Sequence, residues 1–138
     1  MWEELGEFIV NYNTHSKNSK LNNEINVAEI AIGKFYKISQ YLEKQDHVNL
    51  IKTDINPSKD DIIKDDIENP NLSLYENIDI IYSIRPPYEL QSYIMSLRDK
   101  VNATLIIKPL TNETLHSRLN KMKLINYKGL SFYIYEKE

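Results

Sequence analysis

Two cations stand where they would act on an anion. Arg85 and Lys108 each follow an apolar run, residues 78–84 and 103–107, that reads as a strand. If those strands are neighbours, the two side chains converge above one sheet edge and favour a carboxylate or phosphate there. The competing reading is internal charge balance, with Asp54, Asp66 or Glu113 as counter-ion. A second set has the types that recognise a polar ligand: Gly33 closes the apolar run from Ile25 to Ile32, and Asp54 closes the run from Val48. Two acidic pairs, Asp60-Asp61 and Asp65-Asp66, repeat within Lys-Asp-Asp-Ile. They lack the glycine and glutamate of a calcium loop and read as a solvated acidic segment.

Several chemistries have no support. Cysteine is absent, which removes disulfides, thiolate metal sites and cysteine nucleophiles. His15, His47 and His116 share no ligand spacing, His-Glu-x-x-His does not occur, and all three are expected at the surface. There is no Gly-x-Ser-x-Gly elbow and no phosphate loop of the Gly-x-x-x-x-Gly-Lys type. No metal is expected.

The elements that must position these residues follow from periodicity. Trp2, Leu5, Ile9 and Tyr12 lie at helical spacing and predict an amphipathic helix over residues 2 to about 15. A polar linker follows, to Glu24. The strand at 25–32 is followed by a helix from Lys34 to Lys44, with Phe35, Ile38 and Leu42 on one face, and a second strand at 48–55. That is a βαβ unit, which requires parallel strands. Residues 56–77 are acidic and hold Pro57 and Pro70, leaving room for a short strand at 62–67 and a helical turn near 72–76. The run at 78–84, halted by Arg85-Pro86-Pro87, is the clearest strand. Leu90, Ile94 and Leu97 mark a helix, 103–107 a fifth strand, and Leu115, Leu119 and Met122 a helix from about Asn112 with Thr111 as its N-cap. Leu124–Tyr127 and Leu130–Tyr135 flank Lys128-Gly129 as a hairpin.

The reading is therefore one α/β domain over residues 1–138: an N-terminal helix and linker (1–24), then a Rossmann-like, doubly wound, mostly parallel sheet with a C-terminal antiparallel hairpin (25–138). At 138 residues, 41% hydrophobic and 27% charged, the chain is of ordinary globular composition. The acidic start Trp2-Glu3-Glu4 does not suit a signal peptide. No apolar run approaches the roughly 20 residues that span a bilayer. A cytoplasmic protein without membrane contact is the expectation. The net charge of −3 gives no indication of nucleic-acid binding.

In an open parallel sheet, ligands bind beyond the carboxyl ends of the strands, and at that edge a resemblance is visible. Glu29-Ile30-Ala31-Ile32-Gly33-Lys34-Phe35 resembles an eroded acid-x-Gly-x-Gly-x-Gly loop of the class I S-adenosylmethionine-dependent methyltransferases. The resemblance implies S-adenosylmethionine as cofactor, with Glu29, Ala31 and Gly33 in its loop, Asp54 on the ribose hydroxyls and Asp66, rather than Asp65, at the adenine amino group. Ser83-Ile84-Arg85-Pro86-Pro87-Tyr88 is similar to the motif after that superfamily's fourth strand, with Arg85 directly before the prolines. Ser83, Arg85 and Tyr88 would there orient the methyl acceptor. The chain from Ile25 also resembles a small archaeal family of uncharacterised methyltransferase-like Rossmann proteins, through residues 28–35, 79–87 and 105–110. Two glycine positions are replaced. Ala31 is strained if its φ is positive, and the Phe35 ring is expected to narrow or fill the pocket.

Two functions are carried forward. The first is a minimal methyltransferase-like protein binding S-adenosylmethionine, with Arg85, Tyr88 and Lys108 on the substrate or anion side and no residue standing out as a general base. The second is a non-catalytic module of the same fold that binds a nucleotide, an anion or a partner, with Trp2 of the leading helix docking on that partner or on its own sheet. An NAD site lacks its Gly-x-Gly-x-x-Gly. The readings diverge on one observable: a donor site predicts an open cleft above Gly33 with Asp54 exposed to it, a degenerate one a cleft filled by Phe35.

Overall fold

In a computed structural model, residues 2–14, 24–109 and 115–138 are described. They form α1 (Glu3–Thr14), β1 (Ile25–Ile30), α2 (Lys37–Glu43), β2 (Val48–Asp54), β3 (Ile63–Lys64), β4 (Ile80–Ile84), α3 (Tyr88–Val101), β5 (Thr104–Lys108), β6 (Lys123–Tyr127) and β7 (Leu130–Tyr135), with short 3-10 turns at Leu72–Tyr75 and Ser117–Leu119. One sheet of seven strands runs in the order β3-β2-β1-β4-β5-β7-β6. The pairs from β3 through β5 are parallel, and β7 joins β5 and β6 antiparallel. The chain winds outward from β1 to β3, then returns to β4 on the other side of β1. The order therefore reverses between β1 and β4, and a crevice must open at their carboxyl ends.

Residue type explains which strands lie where. All five residues of β4 are buried, as an apolar run covered by helices on both faces requires. β7 alternates, with Leu130, Phe132 and Ile134 inward. Its hairpin turns on Lys128 and Gly129, both at positive φ (51° and 84°), the geometry a two-residue connection favours. On one face of the sheet, Leu5 and Ile9 of α1 and Ile38 and Leu42 of α2 pack over Val27, Tyr82, Ile106 and Phe132. On the other, Ile94, Met95 and Leu97 of α3 pack over Ala28, Ile81, Leu105 and Ile107, joined by Tyr75 and Leu119 from the 3-10 turns.

The leading helix thus docks on its own sheet. Leu5 and Ile9 are fully buried, and Phe8 meets Phe132 edge-on at 4.8 Å. The Tyr127 hydroxyl and the Lys128 ammonium both bind Glu7, fastening α1 to the hairpin. Gly6 lets α1 press on α2, because a Cβ there would meet the Tyr41 ring.

Several boundaries differ from the sequence reading, four of them near the cleft or in the C-terminal part. β1 ends at Ile30 because Ala31 turns into the left-handed region (φ 56°). α2 begins at Lys37, once the loop through Gly33 has turned. β3 is two residues long: the Asp65 N–H makes its last bond to β2, on the Asp54 carbonyl at 3.0 Å, and the Asp65 carboxylate turns to Tyr75 and Asn71. Of the helix expected from Asn112, residues 110–114, with Thr111 and Glu113, lie outside the described residues, as do His15 and most of the linker. Beyond them only the 3-10 turn at Ser117–Leu119 forms. It is capped by His116, whose Nδ1 accepts from the Arg118 N–H at 3.0 Å and whose own N–H donates to Gln91 at 2.8 Å. Among the described residues, no helix is long and apolar enough to cross a membrane.

Candidate functional site

The reversal between β1 and β4 holds a cleft of about 410 Å³, lined by the ends of β1, β2, β3 and β4 and the start of α3. Its walls are apolar at Ile30, Ile67, Ile84 and Leu90, and polar at Asp54, Asp66 and Arg85. A concave, mostly apolar site with few polar groups is what small-ligand recognition requires.

The loop after β1 is built around Gly33. Its φ is +60° and a Cβ there would meet nothing within 4 Å, so glycine serves the backbone conformation, not close packing. Several polar groups of the loop are held. The Gly33 N–H donates to Asp54 Oδ2 at 2.8 Å, Ser58 Oγ donates to the Gly33 carbonyl at 3.0 Å, and the Ile32 N–H reaches the Thr53 carbonyl at 3.3 Å. Asp54 Oδ1 accepts from the Asn56 N–H at 2.9 Å, so one carboxylate ties the β1 loop to the β2 loop. Ala31 holds its positive φ beside the cleft, at a cost of about 1–2 kcal/mol for a residue with a Cβ. Arg85, across the crevice at the end of β4, is also at positive φ (51°).

The two aspartates after β3 divide their tasks. Asp65 is spent on structure: Oδ2 accepts from the Tyr75 hydroxyl at 2.7 Å and Oδ1 from the Asn71 N–H at 3.0 Å. Burial first, then the hydrogen bond to Asp65, raises the pKa of Tyr75, keeping it a donor. Asp66 uses Oδ1 on the Glu68 N–H at 3.0 Å; among the described residues its Oδ2 has no partner.

Ala31, Gly33, Asp54, Asp66 and Arg85 are therefore brought together. Four expected residues are not. Glu29 follows the parity of Ile25 and Val27 onto the α2 face, 1% exposed, where its Oε1 accepts from the Tyr82 hydroxyl at 2.6 Å. Its carboxyl is pushed up to about 8, chiefly by burial. Ser83 is fully buried and donates its hydroxyl to the Ile30 carbonyl at 2.7 Å, a clasp between β1 and β4. Tyr88 is 49% exposed beside His116, outside the lining. Lys108 stands one strand further on, where its carbonyl accepts from the Arg85 N–H at 2.6 Å.

Phe35 corrects a further expectation. Its ring leaves the cleft and stands edge-on to Trp2 of α1, centroids 4.8 Å apart, with the Arg85 guanidinium 5.3 Å from Phe35 and 5.1 Å from Trp2. The volume beside Gly33 stays open, and Asp54 borders it. Sequence reasoning missed the apolar lining residues Ile67, Ile84 and Leu90, and the Trp2–Phe35 pair. The lining sits at strand and helix ends already marked by Asp66, Arg85 and Pro87, which was the available signal. The aromatic pair had none.

Elsewhere, Asp61 of the acidic repeat serves the fold. Asp61 and Glu43 both pair with Lys52, whose pKa burial lowers but these bonds raise overall. Among the described residues, no group of three or more His, Asp or Glu is gathered to hold a metal ion.

Residues 11–137 match an uncharacterised protein family, UPF0146. The chain belongs to this family. Relatives include a UPF0146 protein of Methanothermobacter thermautotrophicus, 40% identical over 135 residues and spanning 98% of this chain and 95% of the relative. Another, from Methanocaldococcus jannaschii, is 48% identical over 125 residues, covering 85% and 88%. Among solved structures, the chain is similar to the MycE methyltransferase of the mycinamycin biosynthetic pathway, in complex with Mg and SAH. The TM-score is 0.51 at 15% identity, covering 96% of this chain and 46% of that one. At that identity the likeness shows a shared fold, and the UPF0146 chain spans about half of the larger enzyme.

Proposed function

We propose that this UPF0146 protein binds a nucleoside-bearing methyl donor of the S-adenosylmethionine type in the β1–β4 cleft and is a minimal methyltransferase-like protein. The observation that carries the reading is the open cleft beside Gly33 with Asp54 on its border, left clear because Phe35 turns away. The residues present fit such a group. Ile30, Ile67 and Leu90 offer apolar wall to a purine, Asp54 retains lone pairs for ribose hydroxyls, and Asp66 has an oxygen to accept from an exocyclic amine. The fold neighbour, solved with SAH, adds support at the level of architecture alone. When bound, the donor supplies an electrophilic methyl group. The chain's part is positioning, which can carry much of such a reaction without a dedicated base.

A second reading, a ligand-binding module without catalysis, is favoured by a specific observation. Both oxygens of Asp54 already accept backbone N–H groups, and Ala31 replaces the glycine that closest backbone approach needs. Calorimetric titration with S-adenosylmethionine and S-adenosylhomocysteine, beside NAD and AMP, separates the two. Saturable binding of the first two that Asp54→Ala weakens supports the donor site. Preference for AMP or NAD moves the assignment to a nucleotide-binding module, and absence of binding at millimolar concentration overturns the donor reading.

A further inference from the structure

Arg85 directly follows β4 and Lys108 ends the adjacent β5, with Ile84 paired to Lys108. Arg85 lines the cleft, and Lys108 lies beside it on the side away from Gly33 and Asp54. Neither has an ion pair among the described residues. Of the counter-ions the sequence offers, Asp54 and Asp66 are bonded to backbone N–H groups, and Glu113 lies outside the described residues. Two like charges one strand apart repel, and the Lys108 ammonium is held below the usual lysine range, first by burial and then by Arg85.

The guanidinium is also oriented. Positive φ at Arg85, with its N–H anchored on the Lys108 carbonyl, aims the side chain at Trp2 and Phe35. Packing against aromatic rings steadies a guanidinium while leaving its edge donors for a planar oxyanion. The first turn of α3 begins three residues on and adds the positive end of its dipole.

We propose that a second ligand, bound beside this cleft between Arg85 and Lys108, carries a carboxylate or phosphate. On the proposed function, on which its role as acceptor rests, this ligand is a small anionic molecule at the β4–β5 side, next to the nucleoside at the β1–β2 side. Charge complementarity selects it: an anion relieves the repulsion between the two cations, whereas a cationic acceptor would add a third like charge.

The test is an NMR titration of the whole protein with inorganic phosphate, with acetate, and with sodium chloride at matched ionic strength. S-adenosylhomocysteine is titrated in a separate arm. We expect saturable shifts around Arg85 and Lys108 from phosphate or acetate but not chloride, and the stronger of the two identifies the group. Arg85→Gln and Lys108→Gln should each weaken that binding about tenfold, the scale of a charge-assisted contact, while Lys108→Arg should retain it. Folding of each variant is read from the same spectra. No saturable shift from either oxyanion, or affinities unchanged in both neutral variants, overturns the proposal whether or not S-adenosylhomocysteine binds. Oxyanion binding that the variants weaken, without binding of S-adenosylhomocysteine, sustains the anion site and overturns the donor reading alone.

Discussion

The Gly33 N–H and the Asp54 carboxylate are joined at 2.8 Å along the β1–β2 side of the cleft, so the residue that shapes the β1 loop is held by the residue that ends β2. Asp54→Ala removes the partner of two backbone donors at once. It should lower stability by about 1–3 kcal/mol and weaken binding of S-adenosylhomocysteine. Asp54→Asn keeps one carbonyl oxygen and should lose less of the stability. Denaturant unfolding beside titration checks both, and a variant that keeps full affinity would remove Asp54 from the ligand's contacts.

Ala31 holds φ at 56°, a conformation glycine adopts at no steric cost. Ala31→Gly relieves about 1–2 kcal/mol of strain, offset by the larger entropy of unfolded glycine. The expected outcome is a net gain of about 0.5 kcal/mol, whereas Ala31→Val should destabilise. Thermal unfolding of the pair decides. Loss of stability in the glycine variant would mean the Ala31 methyl packs usefully.

Burial of Glu29 makes stability depend on pH. Its carboxyl is raised from 4.5 to about 8, so the folded state holds a proton that the unfolded state has released. Its stabilisation is fully present below 4.5 and is lost as pH rises through about 8. Glu29→Gln, which cannot ionise, should therefore gain on the wild type steadily across that window. Parallel stability curves for the two proteins would show that Glu29 titrates normally.

Gly6→Ala places a methyl against the Tyr41 ring, between α1 and α2. A loss of about 1–3 kcal/mol is expected, as for overpacked interfaces. Tyr41→Ala should make the same glycine substitution nearly neutral. A double-mutant cycle measures this coupling, and strict additivity would place the cost of Gly6→Ala elsewhere.

Much of the framework was legible because strand ends carry punctuation. Gly33, Asp54 and Arg85-Pro86-Pro87 stop their apolar runs at the edge where the cleft lies. Face parity was legible too: Glu29 shares the register of Ile25 and Val27, and its removal from the cleft follows from a period of two. What one sequence does not carry is where a side chain spends its hydrogen bond. Ser83 clasps Ile30, and Asp65 rather than Asp66 is consumed by Tyr75. Nor does local pattern pair Phe35 with Trp2, which are 33 positions apart and meet only once α1 has docked.

The docking of α1 has a consequence for the order in which the molecule assembles. Tyr12 meets Glu136 across 124 positions, and Glu7 meets Tyr127 across 120. During synthesis α1 emerges with Leu5 and Ile9 unsheltered, and β7, which completes their seat, follows every other strand of the sheet. The helix must wait, half-covered at best by α2, until the hairpin closes over it. Each newborn chain therefore passes through an interval in which the apolar stripe of α1 is open to chaperones and to its own neighbours on the ribosome.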